Sequence, residues 1–368
     1  MNWAKFLLAG AFLAGLVSET AAADPYLKEE LRIPFALAGP GGLEALLVRP
    51  NEPGRYPLAL IDHGSPRSVE QHPKMTPWAM LPQAIEFARR GWAAVVVMRR
   101  GYGDSGGDGT DSYGPCVNPD YVAAGSAGAA DLKASIDFLV NRPDIDRSRV
   151  ISVGVSAGGF ATVALTADPP PELVAAISFA GGRGSIHNDE VCHGERLVEA
   201  FRLFGKRSRI PMLWVYAEND RFFGPALAQQ LKNAFIEGGG NVEFIAAPAF
   251  GRDGHRLFSM AGIPAWSGFV DAFLQQHDLG IRTTLLPPPA RPALAVPNNL
   301  SRPGREAFET YIMSAPHKAF AVSPDGHFGW QSAQRTAEAA KSGAMQNCRK
   351  NAEGCGVAFI DDAAVPGR

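Results

Sequence analysis

The sequence predicts an α/β protein: a mostly parallel central sheet with helices on both faces, followed by a small α+β module at the C-terminus. Three observations predict it. Runs such as AAVVVMRRG and PMLWVYAEND are continuously apolar rather than alternating, as strands buried on both sides require. These runs alternate along the chain with segments of helical period, the order of a parallel sheet built from crossover units. A proline-rich stretch, LLPPPARPALAVPNNLSRPG from Leu285 to Gly304, then separates this body from a tail that carries its own pair of cysteines.

Taken in order, residues 1–23 read as a secretory signal peptide. Lys5 gives the positive start, Phe6–Val17 the apolar region, and Ala21-Ala22-Ala23 a small-residue cleavage site before Asp24. The apolar run is too short to span a bilayer, although an uncleaved anchor is the alternative. A periplasmic or secreted mature protein is therefore expected, with no membrane span once the signal is removed. The α/β body is expected over 24–282, with strands in LEALLVRP, YPLALIDHG, AAVVVMRRG, RVISVGV, VAAISFAGG, PMLWVYAEND and VEFIAAPAF. Leu132, Ile136 and Leu139 fall on one face of a helix. A semi-rigid linker without helix or central strand is expected over 283–304, since proline lacks the N–H that both require. The module, 305–368, is expected to hold a hairpin in His317–Ala333 around the turn Ser323-Pro324-Asp325-Gly326. An Ala-rich helix (Thr336–Lys350) and a strand (Gly356–Asp361) follow.

Composition excludes some classes of function. The chain is 46% hydrophobic and 20% charged, with net charge −2, so nothing points to nucleic acid or an anionic membrane surface. Four cysteines fit an oxidising compartment. Cys348 and Cys355 are neighbours in sequence and are expected to pair, leaving Cys116 with Cys192. Four cysteines nevertheless allow three connectivities, and free thiols are the other reading. No CxxC or clustered Cys/His spacing suggests a metal.

Two segments match G-x-S-x-G, so context decides between them. Gly154-Val155-Ser156-Ala157-Gly158 lies between an apolar strand and a small-residue helix, where a tight turn pushes the serine Oγ out of the sheet. Gly103-Asp104-Ser105-Gly106-Gly107 resembles the nucleophile loop of trypsin-like proteases, but those domains are all-β; here it reads as a glycine-rich turn. A serine hydroxyl needs a base, and the base needs an orienting acid. In an open parallel sheet both belong on loops at the carboxyl ends of later strands. Asp220 ends PMLWVYAEND and His255 lies in GRDGH after VEFIAAPAF; Glu218 and Asp253 are the alternative acids. For the developing oxyanion, the Ala157 N–H follows the nucleophile and the Ser65 N–H lies in Asp62-His63-Gly64-Ser65-Pro66 after an early strand. His187 and His193 are expected at the pocket wall or surface, and His277, His317 and His327 facing solvent.

HGSP, RRGYGDSGG, GVSAGG, YAENDRFF and DGH, in that order, resemble the α/β-hydrolase superfamily over about Leu31–Asp278, and most of all its dienelactone-hydrolase-like branch of exported bacterial proteins. The resemblance implies a triad of Ser156, Asp220 and His255, backbone donors at Ala157 and Ser65, and no cofactor. True dienelactone hydrolases carry a cysteine where this chain has Ser156, which favours carboxylic esters more generally. The expectation is thus a serine hydrolase of small-molecule esters. An exopeptidase or amide hydrolase on the same triad, and a non-catalytic binding protein, are the alternatives. The tail resembles a small cysteine-containing module of exported proteins and is a candidate to bind an envelope component or partner. Phe320, Phe328 and Trp330 are either its binding face or its core. Pocket walls are expected from Ser65–Ala79, Asp108–Tyr121 and Arg183–Arg196.

Overall fold

A computed structural model describes residues 24–109 and 112–366. The residues read as a signal peptide lie outside the described residues. The central sheet contains β1 (Tyr26–Ile33), β2 (Leu43–Pro50), β3 (Tyr56–Asp62), β4 (Ala93–Val97), β5 (Ile145–Val155) and β6 (Leu173–Phe179). A small hairpin of β7 (Ser185–His187) and β8 (Glu190–Val191) precedes its last two strands, β9 (Met212–Ala217) and β10 (Glu243–Ala247). The order across the sheet is β1-β2-β4-β3-β5-β6-β9-β10. β2 runs antiparallel to β1 and β4, and every other pairing is parallel.

Period-2 alternation sends neighbouring strand residues to opposite faces, and here both faces are apolar. Ala59, Ile61, Val96, Val153 and Ile177 meet α1 (Leu81–Arg89) and α6 (Ile263–Gln276) through Phe87, Ala88, Trp266 and Val270. Leu58, Leu60, Val95 and Val150 meet α2 (Tyr121–Leu139) and α3 (Ala157–Leu165) through Leu132, Ile136 and Ala161. Farther along that face, α4 (Gly194–Gly205) and α5 (Pro225–Glu237) cover Met212, Trp214 and Tyr216 with Phe201, Phe204 and Phe235. The expected strands are present, and β1 adds an edge strand whose first residues precede Leu31.

Two buried ion pairs fix the chain just after β4. Arg99 bonds the Asp62 carboxylate at the end of β3, both side chains fully buried, and donates to the His63 carbonyl at 2.8 Å. Asp131 of α2 accepts from the Arg100 N–H at 2.8 Å and its Nε at 2.6 Å. Burial pushes the Asp131 carboxyl above the ordinary carboxylate range, against the pull of Arg100. Ser105 is bound on both sides, its Oγ donating to the Met98 carbonyl (2.6 Å) and accepting from the Glu44 N–H (2.8 Å). The Gly103–Gly107 serine is thus part of a packed turn.

The C-terminal region is a second, antiparallel sheet in the order β12 (Phe328–Gln331), β11 (Ala319–Val322), β13 (Gly356–Ile360), β14 (Ala363–Ala364). It is flanked by α7 (Arg302–Met313) and α8 (Ala337–Arg349), the latter capped by the Thr336 hydroxyl accepting from the Ala339 N–H at 3.1 Å. β11 and β12 form the expected hairpin. Phe320 is fully buried and stacks on Phe328 at 5.7 Å, so these aromatics build the module's core, with Trp330 packed at its margin. One expectation is corrected: α7 begins at Arg302, inside the stretch read as helix-free linker. Pro303 sits in its first turn, where no intrahelical N–H bond is lost, and Ser301 caps the turn by accepting from the Gly304 N–H. His277 and His317 are half-buried rather than solvent-facing, His277 bonding Glu243 at 2.6 Å and His317 packing edge-on against Trp78 at 5.2 Å.

Trp266 tests the core beneath α6. It is fully buried between Phe179 and Phe258, with Nε1 donating to the Ser259 carbonyl at 3.0 Å. Trp266→Ala is expected to cost about 3–5 kcal/mol from lost burial and the cavity left behind. A lower urea midpoint at unchanged slope would show it.

Candidate active site

β5 ends at Val155, α3 starts at Ala157, and Ser156 alone makes the turn with φ 57° and ψ −122°. A non-glycine residue held there costs about 1–3 kcal/mol, so its surroundings must hold it in place. The Ser156 N–H donates to the Phe179 carbonyl at 2.9 Å, and its carbonyl accepts from Phe160 (2.9 Å) and Gly182 (3.1 Å). Glycine is required on either side because the backbones touch: a Cβ on Gly158 would lie 2.5 Å from the Asp62 and His63 carbonyl oxygens, and one on Gly154 2.6 Å from the Gly159 nitrogen. Gly64 approaches so closely that its Cβ would lie 3.2 Å from the Ser156 Cβ.

Asp220 is buried just past β9. Its Oδ1 accepts from the Phe222 N–H (2.7 Å) and the Phe223 N–H (2.9 Å), which fixes the carboxylate plane. His255 Nδ1 stands 3.0 Å from Asp220 Oδ2 and 3.2 Å from Oδ1. A proton on Nδ1 satisfies that contact and leaves Nε2 with a lone pair, the tautomer that accepts a proton from a hydroxyl. Asp253 instead caps the loop, accepting from the Arg221 (3.1 Å) and His255 (3.0 Å) amides, and Glu218 is exposed. The Phe222 ring stacks on the His255 imidazole at 3.9 Å and 12°. The Arg67 guanidinium stacks on the same ring, 3.8 Å from its centroid. Among the described residues, the Ser156 Oγ makes no hydrogen bond; such contacts commonly tighten only when substrate binds.

Ser156, Ala157 and Ser65 all line one cavity of about 410 Å³. The Ser65 side chain is held by the Tyr102 hydroxyl at 2.6 Å and faces His72 Nε2 at 3.3 Å. Next to it, His63 Nε2 accepts from the Arg99 N–H at 3.1 Å while Nδ1 stands 2.7 Å from the Gly64 carbonyl, which it reaches as a donor. The rest of the wall comes from the three expected loops, through residues such as Arg67, Tyr113 and Arg183, together with Phe222 and Phe223. His187 is exposed on the hairpin, and His193 stands just before α4 with its ring bonded to the Glu195 carboxylate at 2.7 Å. Phe222 and Tyr102 lie inside the motifs YAENDRFF and RRGYGDSGG yet have no role in the reading of the sequence, whereas Arg67 falls in an expected wall. The aromatic pair two and three residues after Asp220 is the available signal for Phe222. Among the described residues, no group of His, Cys, Asp and Glu is arranged to hold a metal ion.

An open sheet with an antiparallel second strand, a tight serine turn after β5 and an Asp–His pair following its last two strands, makes the body an α/β-hydrolase. The chain belongs to the family described as X-Pro dipeptidyl-peptidase (S15 family), whose model matches residues 42–226. That stretch contains Ser156 and Asp220 and ends before His255. Among solved structures, the chain is similar to a Klebsiella pneumoniae protein provisionally described as a dienelactone hydrolase, with 15% identity over 68% of this chain and 100% of that one, TM-score 0.49. It is similar to the Pyrococcus horikoshii acylaminoacyl peptidase (16%, 69% and 42%, TM-score 0.48) and to an esterase from Thermogutta terrifontis (16%, 69% and 94%, TM-score 0.47). It spans about two-fifths of the peptidase's length.

Disulfides join Cys116 to Cys192 and Cys348 to Cys355. The first ties together two pocket walls, and beside it the Tyr121 hydroxyl, kept protonated by burial, donates to the Cys192 carbonyl. The double variant Cys116→Ser/Cys192→Ser is expected to raise KM several-fold with a smaller change in kcat, because it loosens the wall and leaves the elbow intact. Steady-state kinetics on matched esters check this.

Proposed function

We propose that this protein is a serine hydrolase that cleaves carboxylic esters of small molecules by acyl transfer. The observation that supports it best is the pairing of a strained serine elbow with a buried Asp–His pair on one side of the same sheet. Ser156 attacks the carbonyl while His255 Nε2 takes its proton. Asp220 holds the ring and stabilises the imidazolium. The amides of Ala157 and Ser65 receive the oxyanion, each such donor being worth on the order of 10²–10³ in rate. His255 then protonates the leaving alcohol, and water, activated by the same base, releases the acid. No cofactor enters these steps.

Ester rather than free-amine peptide substrates are favoured by Arg67 at the cavity. The oxygens it donates to, the Ser185 hydroxyl, the His187 main-chain carbonyl and the Asn188 side-chain carbonyl, carry no charge, so its own is left to repel an ammonium group. The family match favours a second reading, an amide or peptide hydrolase on the same residues. Export to the periplasm or beyond is part of the proposal; the two disulfides support it, and no helix among the described residues is long and apolar enough to cross a membrane.

Intact-mass labelling with a fluorophosphonate is expected to give one adduct on the wild type and none on Ser156→Ala. No adduct on folded wild type would sink the proposal. Ser156→Ala is expected to lower kcat on the order of 10⁴–10⁶-fold and Asp220→Asn about 10⁴-fold. Parallel assays on p-nitrophenyl esters and X-Pro-p-nitroanilides decide between the readings: faster turnover of the anilides would establish the second.

A further inference from the structure

The C-terminal module rests on the hydrolase body next to the loop that leads out of the cavity. Arg335, just before α8, is its main anchor. Its Nη2 donates to the Glu44 carboxylate (3.0 Å) and to the Met75 carbonyl (2.9 Å), and its Nε lies 3.4 Å from Asp104. Gly103 leaves room for it, since a Cβ there would lie 2.9 Å from the Met75 carbonyl oxygen and 3.0 Å from Arg335 Nη2. A second anchor is the buried Thr76, whose hydroxyl donates to the Ala333 carbonyl at 2.6 Å.

Both anchors grip the same short segment. The Met75 N–H donates to the His72 carbonyl at 3.2 Å, and the Gly103 N–H donates to that carbonyl at 2.9 Å. His72 lines the cavity, packs tilted against the Tyr102 ring at 4.3 Å, and meets the Ser65 hydroxyl at 3.3 Å. Ser65 is in turn held by Tyr102. A continuous path of contacts therefore runs from the module to the residue whose amide faces the developing oxyanion.

We propose that the C-terminal module is a built-in buttress of the active site, with Arg335 and Thr76 as positioning residues for the Ser65 loop. This rests on the acyl-transfer reading above. The guanidinium fits the task, because Nη2 holds a carboxylate and a carbonyl while Nε of the same rigid plane faces Asp104, a reach that a lysine ammonium reproduces only in part. An oxyanion donor acts on the transition state rather than on the bound ester, so its displacement lowers kcat more than it raises KM. Misplacement of such a group by about 1 Å can cost on the order of 10²-fold.

The test compares the full-length wild type with Arg335→Ala, Arg335→Lys and Thr76→Val, using p-nitrophenyl butyrate turnover and fluorophosphonate labelling. Arg335→Ala is expected to lower kcat by roughly 10- to 100-fold with KM within about twofold, to label completely but more slowly, and to be rescued only in part by lysine. Thr76→Val is expected to move kcat in the same direction by a smaller factor, and it decides the matter if Arg335→Ala does not fold. Folded variants with kcat and labelling rate unchanged, whatever their melting temperature, would overturn the buttress and leave the module a separate unit. An inert wild type would instead remove the acyl-transfer reading itself, so the two failures are told apart.

Discussion

The close approach of three backbone segments around Ser156 governs this molecule. A serine held at positive φ is stable only because the chain on all sides is packed too tightly to let it relax, and that packing requires glycine at 154 and 158 and leaves little room for a side chain at 64. The order of the sheet follows the same requirement. β3 lies directly beside β5, so the loop carrying Gly64 and Ser65 emerges next to the elbow. α3 then begins at the cavity, which Ala157 lines, and the N-terminal end of a helix dipole favours negative charge.

A second layer of constraint is ionic. The Asp62–Arg99 pair is fully buried at the carboxyl ends of β3 and β4, and Arg99 also holds the His63 carbonyl. A buried pair contributes little net stability, but removing one partner leaves the other charge stranded at a cost of about 3–5 kcal/mol. Such a pair fixes the geometry of the loops after both strands. His63, Tyr102 and Ser65 form a connected set with it, so the wall facing Ser156 is built from hydrogen bonds as well as apolar packing.

Much of this could be read in the chain because the relevant signals are local. Long apolar runs such as AAVVV mark strands buried on two faces, and the small residues around Ser156 mark a crowded turn. Asp220 stands three residues past β9, where the end of the apolar run locates it, and His255 lies in the loop that follows β10. β1 was partly missed because YLKEELRI, at the sheet edge, mixes charge with apolar residues and has no continuous core face to read. The start of α7 was missed because proline in a first turn looks the same in sequence as proline in a coil. The stacking of Arg67 on Phe222, and of Phe222 on His255, joins three separate loops and leaves no periodic trace. Arg335 likewise reads as an ordinary surface residue until the fold brings it to Glu44.

The Cys116–Cys192 bridge closes a ring of chain that contains α2, β5, the Ser156 elbow, α3 and β6. A protease that cuts an exposed loop inside this ring, such as the one between α3 and β6, does not release a fragment. The two pieces remain covalently joined at the bridge and held by strand pairing on either side of the cut. A molecule nicked once there keeps the Ser156 elbow and both pocket walls together, so damage to the chain and loss of the site become separate events.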